Sequence, residues 1–164
     1  MIRRMTVLRL ATHLWFDRQA LDAARLYTSL LPDSRIDRVI ETPDGVPGGV
    51  PGAPLTVDLT LMGQQYTFLN GGPLFPFDSQ VSLSVLCDGQ EEVDRTWSAL
   101  LEDGGTEVQC GWLKDRFGLS WQIVPDALGR LMGDPDPEVR KRVTAAMLQM
   151  VKLGVAGLEA AGRG

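Results

Sequence analysis

The sequence predicts an α+β fold made of two copies of one βαβββ unit, followed by a helical tail. Three observations predict it. Alternating apolar runs of strand length are interleaved with two stripes at helical spacing. The same order of elements returns after a displacement of 70 residues, which carries Thr12 onto Ser82, Tyr27 onto Trp97, Leu30 onto Leu100 and Leu31 onto Leu101. The pattern then breaks at Asp134-Pro135-Asp136-Pro137, a cap followed by a helix-start proline.

In the first unit, residues 7–16 read as a strand that ends at the turn signal Asp17-Arg18. A helix is predicted over about 19–31, with Leu21, Ala24, Tyr27 and Leu31 on one stripe, and Pro32-Asp33-Ser34 stops it. A strand over 36–41 and a long Gly/Pro loop lead to two alternating runs, 55–62 and 65–70, split at Gly63. In the second unit, 81–87 is a strand and 90–102 a helix with Val93, Trp97 and Leu100 on one face. Short strands near 106–109, 112–114 and 119–124 complete it. A final helix runs through Val139, Val143, Met147 and Met150, and its Met-rich stripe reads as packing. The organisation is therefore a single domain over 1–164: module one about 7–73, module two about 80–125, and a tail about 126–162.

Bulk composition narrows the function. The 164 residues are 44% hydrophobic and 23% charged, with a formal charge of -5, a normal globular balance without the basic stripe that nucleic acid requires. No apolar run has the length of a membrane span. Arg3 and Arg4 ahead of an apolar stretch imitate a secretory leader, but Arg9 and His13 interrupt it and no small-x-small site follows. It reads as a first strand with a loose leader, with Met5 as an alternative start, and the expected location is the cytoplasm. Cys87 and Cys110 lack any metal-finger spacing and read as free thiols, with a disulfide or a reactive thiol as the alternative.

Several stretches together resemble one family. They are His13-Leu14-Trp15-Phe16-Asp17 with the following Arg25-Leu26-Tyr27, Leu69-Asn70-Gly71-Gly72-Pro73, Cys110 to Asp115, and Phe117-Gly118-Leu119-Ser120-Trp121-Gln122. This combination resembles the PhnB-like branch of the glyoxalase and bleomycin-resistance (vicinal-oxygen-chelate) superfamily, which often carries the label 3-demethylubiquinone-9 3-methyltransferase. The resemblance implies two modules forming a curved mixed sheet with a cleft. It also implies metal ligands on the first and last strands of each module. The corresponding positions are Thr12, Asn70, Ser82 and Gln122, all neutral, where a divalent ion wants His, Asp, Glu or Cys. The expectation is no metal. The glycines of Asn70-Gly71-Gly72-Pro73 follow a strand but precede a Pro-Phe loop, so no strand-to-helix turn is offered to S-adenosylmethionine. No cofactor is expected.

Strand parity completes the expected site. Ser82 and Ser84 alternate with Val81, Leu83 and Val85, so the polar parity should face the cleft. Carried across by 70 residues, this lines the cleft with Thr12, Asp58, Phe68, Asn70, Ser82, Trp112 and Gln122, along with Thr60 and Ser84, and leaves Trp121 the weaker aromatic candidate. Asp58 is the single acid, read as a solvated strand carboxylate or as a base. His13, the only histidine, falls on the helix side; one residue of slip would turn it into the cleft as an acid–base group or lone ligand. The resulting expectation is a metal-free small-molecule binding protein, homodimeric through its tail, with Asn70 and Gln122 orienting an unidentified ligand. The alternative is an enzyme in the same cleft: a lyase, isomerase, dioxygenase or the methyltransferase of the family label.

Overall fold

The computed structural model describes residues 10–164. The leader with Arg3 and Arg4, the alternative start at Met5 and strand residues 7–9 lie outside the described residues. The chain forms two compact units divided after Pro76, each holding one predicted module. No described helix is long and apolar enough to cross a membrane.

In the first unit, strands β1 (Thr12–Phe16), β2 (Arg35–Glu41), β3 (Pro54–Leu61) and β4 (Gln64–Asn70) form a mixed sheet ordered β1-β4-β3-β2. β1 runs parallel to β4, while β3 is antiparallel to both β2 and β4. The β3–β4 hairpin closes on Met62 and Gly63, with φ of 47° and 80°. Two positive φ values define the turn whose twist matches that of paired strands, and glycine takes the second without strain.

Helix α1 (Ala20–Leu30) covers one face of this sheet. Its Ala20, Ala23, Ala24 and Tyr27 are buried, as are Leu14 and Phe16 of β1, Val57, Leu59 and Leu61 of β3, and Phe68 of β4. The period of two puts these strand residues on one side, and the Phe68 ring meets Phe16 at 4.9 Å and Tyr27 at 5.8 Å between centroids. Helix α1 has no cap from its own flanking side chain. The cap comes from β4, where Asn70 Oδ1 accepts from the Ala20 N–H at 2.8 Å.

The second unit repeats this plan with β5 (Ser82–Cys87), helix α2 (Gly89–Leu101), β6 (Thr106–Glu107), β7 (Trp112–Lys114) and β8 (Ser120–Pro125). The sheet order is β5-β8-β7-β6, with β5 parallel to β8. Val85, Cys87, Leu113, Trp121 and Ile123 are buried with Val93, Trp97 and Leu100 of α2. Asp115, itself buried, shapes the turn before β8. Its Oδ1 accepts from the backbone N–H of Phe117 and Leu119, and its Oδ2 accepts from Trp121 Nε1 at 2.8 Å. Cys87 and Cys110 are both free thiols, and burial pushes the Cys87 thiol up, away from reactive thiolate.

The tail contains three helices where the sequence predicts one: α3 (Asp126–Met132), α4 (Pro137–Met147) and α5 (Val155–Arg163). Asp136 caps α4 as expected, accepting from the Glu138 N–H. The stripe packs inside the second unit around Val143, Leu153 and Leu158. A clasp fixes it there. The Cys110 and Gly111 N–H groups donate to the carbonyls of Met150 and Val151, each at 2.8 Å, and Gln90 accepts from the Val155 N–H at 2.7 Å. Leu153 is fully buried against this clasp. Leu153→Ala is expected to lower unfolding stability by about 2–5 kcal/mol, the range for truncating a buried leucine, as read from urea denaturation.

Candidate functional site

Each sheet has one face covered by its helix, so the opposite face carries the exposed polar parity. In the first unit the register places His13 of β1, Thr67 of β4, Asp58 of β3 and Arg38 of β2 in one row across that open face. Asp58 is the hub. Its Oδ1 accepts from Thr67 Oγ1 at 2.8 Å, and its Oδ2 accepts from Arg38 Nε and Nη2 at 3.0 and 2.6 Å. The Thr67 hydroxyl first, then Arg38, hold the Asp58 carboxyl below the usual carboxylate range. A carboxylate so stabilised as an anion is a weak base, so Asp58 suits binding better than proton abstraction.

A second acid–base pair lies beside this row. A bulge between Ile36 and Arg38 breaks the alternation of β2. Asp37 there accepts from Thr60 Oγ1 at 2.7 Å and meets Arg35 at 2.8 Å.

In the second unit the open face holds Ser84, Gln122 and Trp112 in one row. Gln122 Nε2 donates to Ser82 Oγ at 2.8 Å, and the Trp112 ring is half-buried. Three expected ligand-binding residues, Ser82, Trp112 and Gln122, are thus brought together on one sheet face.

Several other placements differ from expectation. Phe68 is fully buried under α1 and cannot line an open face. Thr12 shares the parity of Leu14 and Phe16, on the helix side of β1, while His13 and Trp15 take the open side. Asn70 also lies on the helix side, and both ends of its amide are committed: Oδ1 to Ala20, and Nδ2 to the Pro54 carbonyl at 2.9 Å. Trp121 is buried under α2. The physical reason is a one-residue difference between strand and helix offsets. Tyr27 and Trp97 are 70 apart, but the helix-covered pairs Leu14–Val85 and Phe16–Cys87 are 71 apart. One residue of slip moves a whole strand's side chains to the other face. By register, the counterpart of Gln122 is therefore Thr67, since Thr67 pairs with His13 as Gln122 pairs with Ser84.

The Asn70-Gly71-Gly72 segment is a structural clamp. The Gly71 and Gly72 N–H groups donate to the carbonyls of Phe16 and Asp17 at 2.9 and 3.1 Å. Trp15 Nε1 donates to the Gly72 carbonyl at 2.8 Å, and a Cβ on Gly71 would lie 2.3 Å from the Trp15 ring. Glycine is required there by close approach. These amide donors are spent within the fold, so the segment does not fit the role of a phosphate or S-adenosylmethionine cradle.

At this end of the first sheet the Gly/Pro loop closes on itself. The Thr42 N–H donates to the Ala53 carbonyl, and the Gly52 N–H returns to the Thr42 carbonyl. Beneath it lies a cavity of about 550 Å³ with walls from Val46, Val50, Leu55, Leu69 and Leu74, and with Asp17 and Arg18 among its lining. Asp17 Oδ1 is buried without a hydrogen bond among the described residues, with Arg18 Nε 3.8 Å away. In the sequence this loop reads only as a connector, because its four glycines and four prolines between 43 and 54 carry no periodicity. Among the described residues, no group of three or more His, Cys, Asp or Glu is arranged to hold a metal ion.

The Asp58 linkage has a definite sign. A carboxyl depressed in the folded state contributes stability above its unfolded pKa, about 3.9, and loses it as pH falls through the folded value. Thr67→Val should raise the Asp58 carboxyl toward its ordinary range, followed by carbon-13 titration. The acid loss of stability attributable to Asp58 should then be smaller, and complete at a higher pH, than in the parent chain.

Comparison with known proteins agrees with this architecture. The family model for 3-demethylubiquinone-9 3-methyltransferase matches residues 9–124, across both modules. A PhnB protein from Bacillus cereus is 29% identical and superposes with a TM-score of 0.65, covering 72% of this chain and 99% of its own. Protein PA1353 from Pseudomonas aeruginosa, 20% identical, superposes at 0.58 over 73% of this chain and 100% of its own, a likeness of fold. No curated protein matches the chain. The matched span and the likeness to the PhnB protein place this chain in the 3-demethylubiquinone-9 3-methyltransferase family, with a PhnB-like fold.

Proposed function

We propose that the chain is a metal-independent small-molecule binding protein whose ligand sits in the cavity beneath the Gly/Pro loop. The observation that carries this reading is the cavity itself. Its volume of about 550 Å³ falls in the range of sites for small organic ligands, and its walls set Val, Leu and Pro side chains and glycine backbone around a polar group of Asp17, Arg18, Thr42 and Asn70. The apolar part of the wall favours an uncharged, partly aromatic body, and Asp17, whose Oδ1 makes no hydrogen bond among the described residues, can accept from one polar substituent. Asn70 forms part of the lining, but its amide is engaged with Ala20 and Pro54, so its contribution is to hold the wall in place.

The enzymatic alternative is the methyltransferase named by the family. It would need a site for S-adenosylmethionine, and the spent donors of Gly71 and Gly72 argue against that segment supplying one. Asp58, held as a weak base, gives little support to proton-transfer chemistry.

Native mass spectrometry of protein purified from its own host tests the proposal. The expected result is a retained organic molecule, absent from a Leu55→Trp variant that fills the cavity and keeps the parent melting temperature. Retention unchanged in that variant would move the site elsewhere. Elemental analysis should find transition metal far below stoichiometry, and calorimetry should show no heat on adding S-adenosylmethionine. Saturable binding of either would favour the enzyme. The same reading takes the chain as a homodimer, supported by Leu148 and Val151 standing exposed beside the tail clasp. Leu148→Asp is expected to shift light-scattering mass from dimer to monomer.

A further inference from the structure

A second site lies on the open face of the first sheet, away from the cavity just described. A trough of about 380 Å³ runs over β2, β3 and β4, lined by Ala11, Asp37, Arg38, Asp58, Gln65 and Thr67 together with Leu59 and Tyr66. Every side chain that gives it character is polar, and four of the six form or extend two fixed arrays. Arg38 and Thr67 hold both oxygens of Asp58, and Thr60 and Arg35 hold Asp37. The carboxylates are thus locked in place with lone pairs still available, since an ionised carboxyl offers about four acceptor sites.

The charges cancel: Asp37 and Asp58 are balanced by Arg35 and Arg38, each within a direct ion pair. An ionic ligand would gain from one partner of each pair and lose to the other. A neutral molecule with several hydroxyl groups meets no such conflict, because each hydroxyl can donate to a carboxylate and accept from a guanidinium or an amide N–H. Gln65 is exposed on the same face, two residues from Thr67 on β4, and supplies one amide of that kind. Donors and acceptors alternate along the trough, and a molecule that carries several hydroxyl groups presents both functions at each of them. We propose that this trough is a binding site for neutral polyhydroxylated molecules, of the sugar or cyclitol class.

Titration of nitrogen-15-labelled full-length protein with myo-inositol and glucose, read by amide chemical shifts, tests it. Glucosamine and glucose 6-phosphate serve as the cationic and anionic counterparts. The expected result is a saturable shift of the Arg38, Asp58, Gln65 and Thr67 amides with at least one neutral probe, at affinities on the order of millimolar. Both charged probes should bind at least fivefold more weakly. Gln65→Ala, an exposed position that leaves the ion pairs intact, should weaken the neutral probe about fivefold while keeping the melting temperature; Asp58→Asn should do so at least as much. Absence of a saturable shift with both neutral probes overturns the proposal. So does equal or tighter binding of a charged probe at the same amides, or binding that Gln65→Ala and Asp58→Asn leave unaltered. The Leu55→Trp variant separates the two sites, because filling the cavity beneath the loop should not change the response of the trough.

Discussion

The carboxamide of Asn70 fixes the geometry on which the first unit depends. One side chain at the end of β4 accepts from the first turn of α1 and donates to the chain entering β3. The two glycines that follow bind the carbonyls of Phe16 and Asp17, the connection between β1 and α1. Four segments therefore meet through short, directional bonds, and the helix can lie on only one side of the sheet. Which side it covers decides everything else: Leu14, Phe16 and Phe68 become core, and His13, Asp58 and Thr67 are left to solvent. Such a bond, half-buried, is worth about 1 kcal/mol by itself, and its larger effect is on which arrangement forms at all.

Much of the architecture was legible in the sequence, because period and punctuation are local signals. The two module helices, the hairpin and the order of strands along the chain follow from apolar spacing and from Gly63 and Pro32, and Asp136 marks the start of α4, while the tail helices α3 and α5 go unread. The candidate site was less legible. Its prediction rode on one displacement for the whole module, and displacement differs between helix and strand by a single residue. Helical stripes tolerate that error, since neighbouring positions share a broad apolar arc. Strands do not tolerate it, since each step reverses the face. His13 and Thr12 were exchanged for this reason, and Phe68, an apolar residue among alternating polar ones, was drawn to the wrong side with them. In the second unit the parity comes directly from Ser82 and Ser84 alternating with Val81, Leu83 and Val85, and there Ser82, Trp112 and Gln122 do share a face. The cavity beneath the Gly/Pro loop had no sequence signal, because a loop's shape comes from its own closing hydrogen bonds rather than from any periodicity.

The two sheets use the same plan for different chemistry. At the position where the first sheet carries Asp58 bound to Arg38, the second carries Trp112 beside Gln122. One open face is ionic and internally neutralised, while the other combines an aromatic ring with hydroxyls and an amide. A duplicated unit keeps its covered face under the strict demands of packing, and its exposed face is free to diverge. The helix-side residues of the two units are correspondingly alike in kind, with Tyr27 answering to Trp97 and Leu14 to Val85.

The clamp also sets a chemical lifetime for the fold. Asn70 precedes Gly71, the pairing in which an asparagine side chain most readily loses ammonia, because a glycine nitrogen is unhindered in attacking the neighbouring carbonyl carbon. Here that nitrogen is held by the Phe16 carbonyl and the side chain by Ala20 and Pro54, so the reacting atoms are kept from closing the ring. Should local opening let the reaction occur, the product would be an acid where Nδ2 had been. A carboxylate would then confront the Pro54 carbonyl, two acceptors with no proton between them. The damage would be self-reinforcing, since a loosened clamp could not re-form around the altered side chain.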